Sequence, residues 1–155
     1  ARDLPREGFD VALCGWSLLC IPNEGVVHAL RNIHAALVPG GLLVDTQPIG
    51  PQPRVRGAGR ELGTIDMHEW IETIHAVDKR VVETIAARLF QQTDERTLVI
   101  RDTFDDGPQC LETIGTWRGT RVPQPLADRL AATRDQVTVD QQVRLRLLRR
   151  GPASA

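Results

Sequence analysis

The stretch FDVALCGWSLLCIPNEGVVHALRNIHAALVPGGLLVDTQPIG, residues 9–50, constrains this chain most. Phe9 to Cys14 is a nearly continuous apolar run, which suits a strand buried on both faces of a parallel sheet. Ile21-Pro22-Asn23 breaks the run; Asn23 is a good helix N-cap, and Glu24 favours a first turn. Val26, Leu30, Ile33 and Leu37 then recur at steps of four, three and four, so they share one helix face. Pro39-Gly40-Gly41 stops that helix, and Leu42 to Val44 reads as a second strand. Strand, helix, strand in that order make a β-α-β unit with a right-handed crossover.

The rest extends this unit. Gly50 to Arg60 is rich in Gly, Pro and Arg and reads as a solvated loop of about ten residues. Asp66, with Glu69 three positions on, has the form of a capping box. The apolar positions Trp70, Ile74, Val77, Val81, Ile85 and Leu89 predict a helix of about 25 residues after it. A strand is expected over residues 96–104, centred on Leu98-Val99-Ile100. Short helices are expected around Leu111–Trp117 and Pro123–Ala132. The last strand is expected over Val137–Leu147, where Val143, Leu145 and Leu147 alternate with a wet face of Arg144 and Arg146. The fold class is α/β with a mostly parallel sheet and an antiparallel last strand. One domain covers residues 1–150, and 151–155 form a tail.

Composition removes several function classes. The chain has 155 residues, 41% hydrophobic and 25% charged, with a net charge of -1. Near-zero charge gives no electrostatic footprint for nucleic acid, and no apolar run has the roughly 18–20 residues of a membrane span. The polar start Ala1–Glu7 lacks the apolar core of a signal peptide. Three cysteines, Cys14, Cys20 and Cys110, without a C-x-x-C pair argue against a disulfide framework and a structural zinc site. A cytoplasmic setting and no metal are therefore expected. The chain begins with Ala1, and its only methionine is Met67, so a trimmed or partial sequence is expected.

Two segments in order resemble the class I S-adenosylmethionine-dependent methyltransferases. ARDLPREGFDVALCGWSLLCIPN matches a family pattern at Ala1, Leu4-Pro5, Phe9-Asp10-Val11 and Ile21-Pro22-Asn23. LRNIHAALVPGGLLVDTQP matches the next helix and strand at Leu30, Ile33, Leu37 and Pro39-Gly40-Gly41-Leu42-Leu43. The resemblance covers residues 1–50. It implies a partial Rossmann-like methyltransferase fold whose earlier strands, with their glycine-rich cofactor loop, would precede Ala1. No G-x-G-x-G follows a strand here, and GAG at 57–59 is rejected because it sits in a loop. The two histidines of the family's L-H-H segment are replaced by Leu19 and Cys20 after Leu18.

The resemblance implies S-adenosylmethionine as cofactor and a small-molecule acceptor, within a longer protein. In an open parallel sheet, ligands lie beyond the carboxyl ends of the strands. For the first strand that places Cys14, Gly15 and Trp16 at the cofactor, with Ala1 beside the adenine position. For the second it makes Gln47 the substrate contact. His68, at the start of the long helix, is the candidate general base; His28 and His34 are expected to face solvent. Cys20 is expected to be a small buried side chain, and Trp70 and Trp117 to be core. The 50–60 loop and the 105–133 segment would form the substrate side. The competing reading is a non-catalytic interaction module, either a homodimer or the partner of a missing N-terminal half, because the first strand has an edge with no neighbour in the chain. Another Rossmann-like enzyme or a hydrolase is the poorer reading, with no G-x-S-x-G elbow present.

Overall fold

The computed structural model describes residues 5–151. Six strands and four α-helices follow in the order β1 (Phe9–Gly15), a 3-10 turn (Ser17–Cys20), α1 (Asn23–Ala36), β2 (Leu37–Pro48), β3 (Arg54–Gly57), β4 (Arg60–Thr64), α2 (His68–Ala86), β5 (Phe90–Phe104), α3 (Gly107–Gly115), α4 (Gln124–Ala132) and β6 (Val137–Arg150). The chain divides into two units. The first comprises residues up to Gln47, Thr73–Thr97 and residues from Arg144 on; the second comprises Pro48–Glu72 and Leu98–Val143. No helix among the described residues is long and apolar enough to cross a membrane.

The first unit holds the β-α-β motif. β1 runs parallel to β2, with Val11 opposite Leu42 and Cys14 opposite Asp45. The Pro39-Gly40-Gly41 segment makes that pairing possible. Gly40 has φ +77°, and a Cβ on Gly41 would lie 2.9 Å from the Val38 carbonyl oxygen and 3.1 Å from that of Asp10. No side chain fits where the two backbones approach so closely. β2 starts at Leu37, before the glycines, so α1 passes into it directly after Ala36. Val26, Leu30, Leu37, Leu43, Ile74, Val77, Val81, Phe90 and Leu148 are buried. Each such side chain contributes about 1.5–3 kcal/mol of transfer free energy.

β1 differs from the buried strand expected. Phe9, Val11 and Leu13 are 42%, 55% and 70% exposed, and only Cys14 is buried. β1 ends the strand order and pairs only with β2. An apolar strand is buried on both faces only when neighbours and helices flank it, and among the described residues its second edge has none.

The second unit is built round a hairpin that the sequence did not announce. The expected 50–60 loop is β3, a turn at Ala58-Gly59, and β4; β3 and β4 pair antiparallel with Arg54 opposite Thr64. Alternation explains it in retrospect. Val55 and Gly57 face inward, while Arg54 and Arg56 face solvent. β3 also pairs antiparallel with the start of β6, so the expected antiparallel last strand is found. Val55, Leu62, Ile65, Met67, Phe104, Cys110, Ile114, Leu126, Leu130, Val137 and Val139 form one buried cluster, with Trp70 and Trp117 packed against it. α3 is capped by Asp106, whose Oδ1 accepts from the Gln109 amide at 2.8 Å.

Two further expectations change. α2 covers 19 residues, ending at Ala86 rather than near residue 90. Asp66 does cap it: its Oδ1 accepts from the His68 amide at 3.0 Å. In β6 the buried face switches. Val137, Val139, Gln141 and Val143 are buried, then Arg146 and Leu148. Arg146, expected on the wet face, is only 3% exposed.

Candidate functional site

The carboxyl ends of β1 and β2 lie side by side. Gly15 is opposite Thr46, the Trp16 amide donates to the Thr46 carbonyl at 2.9 Å, and Thr46 Oγ1 donates to the Cys14 carbonyl at 3.5 Å. Trp16 has left-handed backbone angles, φ 58° and ψ 2°, and the residue is 38% exposed. This conformation turns the chain sharply out of β1 into the 3-10 turn. At Gly15 a Cβ would make an ordinary contact with Thr46 Oγ1 at 3.9 Å and no closer one, so a small side chain fits there without displacement. Cys14 is buried, and burial above all raises its thiol above the usual value; the Asp45 charge adds to this, while a hydrogen bond with Ser17 opposes it. Burial thus works against the thiolate form that a cysteine nucleophile needs.

Beneath these strand ends is a charge cluster. Asp45 is 1% exposed and accepts from Gln47 Nε2 at 3.0 and 3.2 Å, and from Arg146 Nη2 at 2.6 Å and Nε at 3.1 Å. Arg146 also reaches Asp78 at 3.1 Å, and Asp78 pairs with Arg144. Two carboxylates thus meet two guanidiniums. Gln47 is fully buried, its amide is committed to Asp45, and its Oε1 has no hydrogen-bond partner. The Arg-Leu-Arg alternation near the end of β6 gave no signal of this cluster, because nothing in sequence places Asp45 or Asp78 opposite it.

In the second unit His68 opens α2. It lines a concavity of about 210 Å3 together with Asp66, Glu69, Gly119, Thr120 and Arg121. Asp66 and Arg121 exchange backbone hydrogen bonds of 2.8 Å in both directions, which fixes the two rims. Trp70 braces the floor. Its Nε1 donates to the Arg118 carbonyl, and Gly119, at φ +66°, sits so close that a Cβ would lie 2.3 Å from the indole ring. His68 itself is open to water, its side chain 75% exposed, with Glu72 at 3.5 Å. Glu72 orients the ring only loosely, as exposed ion pairs do.

The structure therefore gathers Cys14, Gly15 and Trp16 at one strand end with Asp45 and Thr46, and sets His68 in a separate concavity of the second unit. Ala1 lies outside the described residues. His28 is exposed as expected, but His34 is buried, edge-on to Phe90 with ring centroids 5.6 Å apart. It lies on the inward side of α1, one turn on from Leu30. Cys20 is exposed rather than buried, its thiol 3.8 Å from the Trp16 carbonyl, because the 3-10 turn points it outward. Among the described residues no group of three or more His, Cys, Asp or Glu is placed to hold a metal ion.

No family model and no curated protein matches the chain. Solved structures do. A protein of Bacillus halodurans C-125 to which methyltransferase activity is ascribed superposes with a TM-score of 0.51 at 10% identity, over 98% of this chain and 68% of its own. The chain has a class I methyltransferase-like fold. The cyclase SpnF gives a TM-score of 0.44 at 19% identity, over 97% of this chain and 53% of its own. An S-adenosylmethionine-dependent methyltransferase from Mesorhizobium loti gives 0.35 at 19%, over 92% and 65%. This chain thus spans between about half and two thirds of the length of these structures.

Proposed function

We propose that the chain serves S-adenosylmethionine-dependent methyl transfer to a small molecule, as part of a longer protein. The observation that carries this reading is the parallel β1–β2 end, where the backbone at Gly15 meets only Thr46 Oγ1 at ordinary contact distance and Trp16 turns the chain sharply out of the strand. Those features fit a sulfonium cofactor: close backbone approach at Gly15, the aromatic Trp16 next in the chain, and at Cys14 a buried thiol whose burial disfavours the thiolate. The cofactor, when bound, brings a methyl group already activated by its own positive charge. What the chain must add is alignment and exclusion of water. Cys14, Gly15 and Trp16, with Ala1 upstream, are assigned to the cofactor. Gln47, whose amide fixes Asp45 and whose buried Oε1 has no hydrogen-bond partner, is assigned to the substrate. His68, beside Asp66 and Glu69, is assigned the removal of a proton from an acceptor that needs it.

The test is calorimetric titration with S-adenosylmethionine of the chain alone and of the longer protein that contains it. The chain alone is expected not to bind tightly. The longer protein is expected to bind at micromolar concentration, and Gly15→Leu to abolish that binding while leaving the melting temperature unchanged. Failure of the longer protein to bind overturns the reading. The exposed Phe9, Val11 and Leu13 favour a second reading, an interaction module that pairs through the β1 edge. Concentration-dependent association that Leu13→Lys abolishes, without cofactor binding, selects that one.

A further inference from the structure

The solvent face of the β3–β6 pair carries more positive charge than its neighbours neutralise. Arg54 lies directly opposite Asp140, and Arg56 opposite Thr138. Opposite residues share a face, and so do alternate ones, so Arg54, Arg56, Asp140 and Gln142 project together. Asp140 is already taken. Arg101 of β5 grips it with Nε at 2.6 Å and Nη2 at 2.8 Å, a bidentate pair. That hydrogen bond, foremost, holds the Asp140 carboxyl below its usual range, with the charges of Arg101 and Arg56 adding to it.

Arg54 and Arg56 thus face the same concavity without a hydrogen bond or ion pair among the described residues. Glu61 stands across from Arg56 on β4 but makes no ion pair with it. The concavity measures about 180 Å3 and is lined by both arginines, Gln52, Gln142 and Asp140, with Pro51 and Val99 as its apolar wall. Guanidiniums present planar forks that match oxyanions, and two of them two residues apart on one strand are positioned for two charges. The Gln142 amide adds a neutral donor, while the Gln52 amide already donates to Asp66 Oδ1 at 3.5 Å. The volume is below the roughly 300–1,000 Å3 of drug-sized sites, so the ligand is small.

We propose that this face binds a small doubly charged oxyanion, a phosphate group or a short dicarboxylate, through Arg54 and Arg56. Binding itself does not depend on the methyltransferase reading, because the site is complete within the second unit and is assayed without cofactor. Where that reading also holds, anionic acceptors are the class to assay first.

The test is calorimetric titration of the chain with inorganic phosphate and, separately, with succinate, at low ionic strength. Saturable binding of at least one is expected, weakened about tenfold or more in the Arg54→Gln/Arg56→Gln double variant, and weakened by added salt as exposed charges require. Glu61→Gln, which removes a competing carboxylate, is expected to bind as tightly as the wild type or more tightly. Phosphate without succinate identifies a phosphate ligand; the reverse identifies a dicarboxylate. Because both arginines are exposed, the double variant is expected to melt no lower than the wild type. No saturable binding of either anion, or equal binding by the double variant, overturns the proposal.

Discussion

Two charge clusters in this molecule obey opposite rules. In the first unit, Asp45, Asp78, Arg144 and Arg146 pair two against two, with Asp45 and Arg146 almost wholly out of water. In the second, Arg101 alone pairs with Asp140, and Arg54 and Arg56 stand beside it on the solvent face without an ion pair among the described residues, with Glu61 across from Arg56. A charge can be buried only when it is matched and hydrogen-bonded; on a wet face an excess costs little, because water screens it. The buried set is therefore structural and balanced, while the exposed set has guanidiniums free for a ligand. The comparison teaches that location, rather than number, decides what an arginine is for.

The largest effect is expected from breaking the buried set. Arg146→Met leaves Asp45 with only Gln47, and should cost about 3–5 kcal/mol. Chemical denaturation reads this directly. Asp45→Asn/Arg146→Met together should cost less than the sum of the two single changes, since neither charge is then orphaned. Arg101→Gln, at the exposed set, should leave the denaturation midpoint near that of the wild type. Equal losses at Arg146 and Arg101 would erase the distinction.

Next comes a test of packing in the second unit. A Cβ at Gly107 would sit 1.9 Å from the Leu130 carbonyl oxygen, and the Gly107 amide donates to the Thr133 carbonyl at 3.1 Å. Gly107→Ala must push α3 off α4, and overpacking of this kind costs about 1–3 kcal/mol. The same denaturation curves check it. A neutral result would show that the C-terminal turn of α4 around Leu130 yields easily.

Much of this was legible in the sequence. The order strand, helix, strand in residues 9–50 is as periodicity predicts, although the helix ends at Ala36 and the second strand begins at Leu37, ahead of the Pro-Gly-Gly expected to stop the helix. Asp66 caps α2. Local signals of that kind need no partner to be read. What failed was non-local. Arg146 reads as a wet-face residue until Asp45 and Asp78, far away in sequence, are brought beside it. Phe9, Val11 and Leu13 read as buried, because hydrophobicity reports what a strand can bury and not whether anything covers it. The β3–β4 hairpin was hidden by its Pro, Gly and Arg content, although Arg54-Val55-Arg56-Gly57 alternates as a strand does. For the site, Cys14, Gly15 and Trp16 were found as a strand end, whereas the Arg54–Arg56 face needed the register with Asp140.

A smaller effect separates buried from exposed titration. Burial first, then the charge of Arg150, holds the His34 imidazole below its usual value; a backbone hydrogen bond to Gly151 opposes this only in part. The native state is then the poorer proton binder. As pH falls through the ordinary imidazole value of 6.5, the unfolded chain takes up the proton first and stability drops. Above that range the contribution is fully present. His34→Gln should flatten the difference between denaturation midpoints measured at about pH 5 and about pH 7.5. An unchanged slope would mean that His34 is not the group responsible.

The smallest structural effect, and the one most informative about function, is expected at Gly15. With no atom closer than 3.9 Å to an added Cβ, Gly15→Ala should leave the melting temperature within a degree or so, as surface substitutions usually do. This contrasts with Gly107, where the same added methyl collides with backbone. If the backbone at Gly15 is where a cofactor approaches, the alanine should still weaken S-adenosylmethionine binding by the longer protein, because a ligand must now make room for the methyl. If affinity and stability are both unchanged, the space at the end of β1 is merely unfilled surface, and the cofactor assignment of Cys14, Gly15 and Trp16 fails with it.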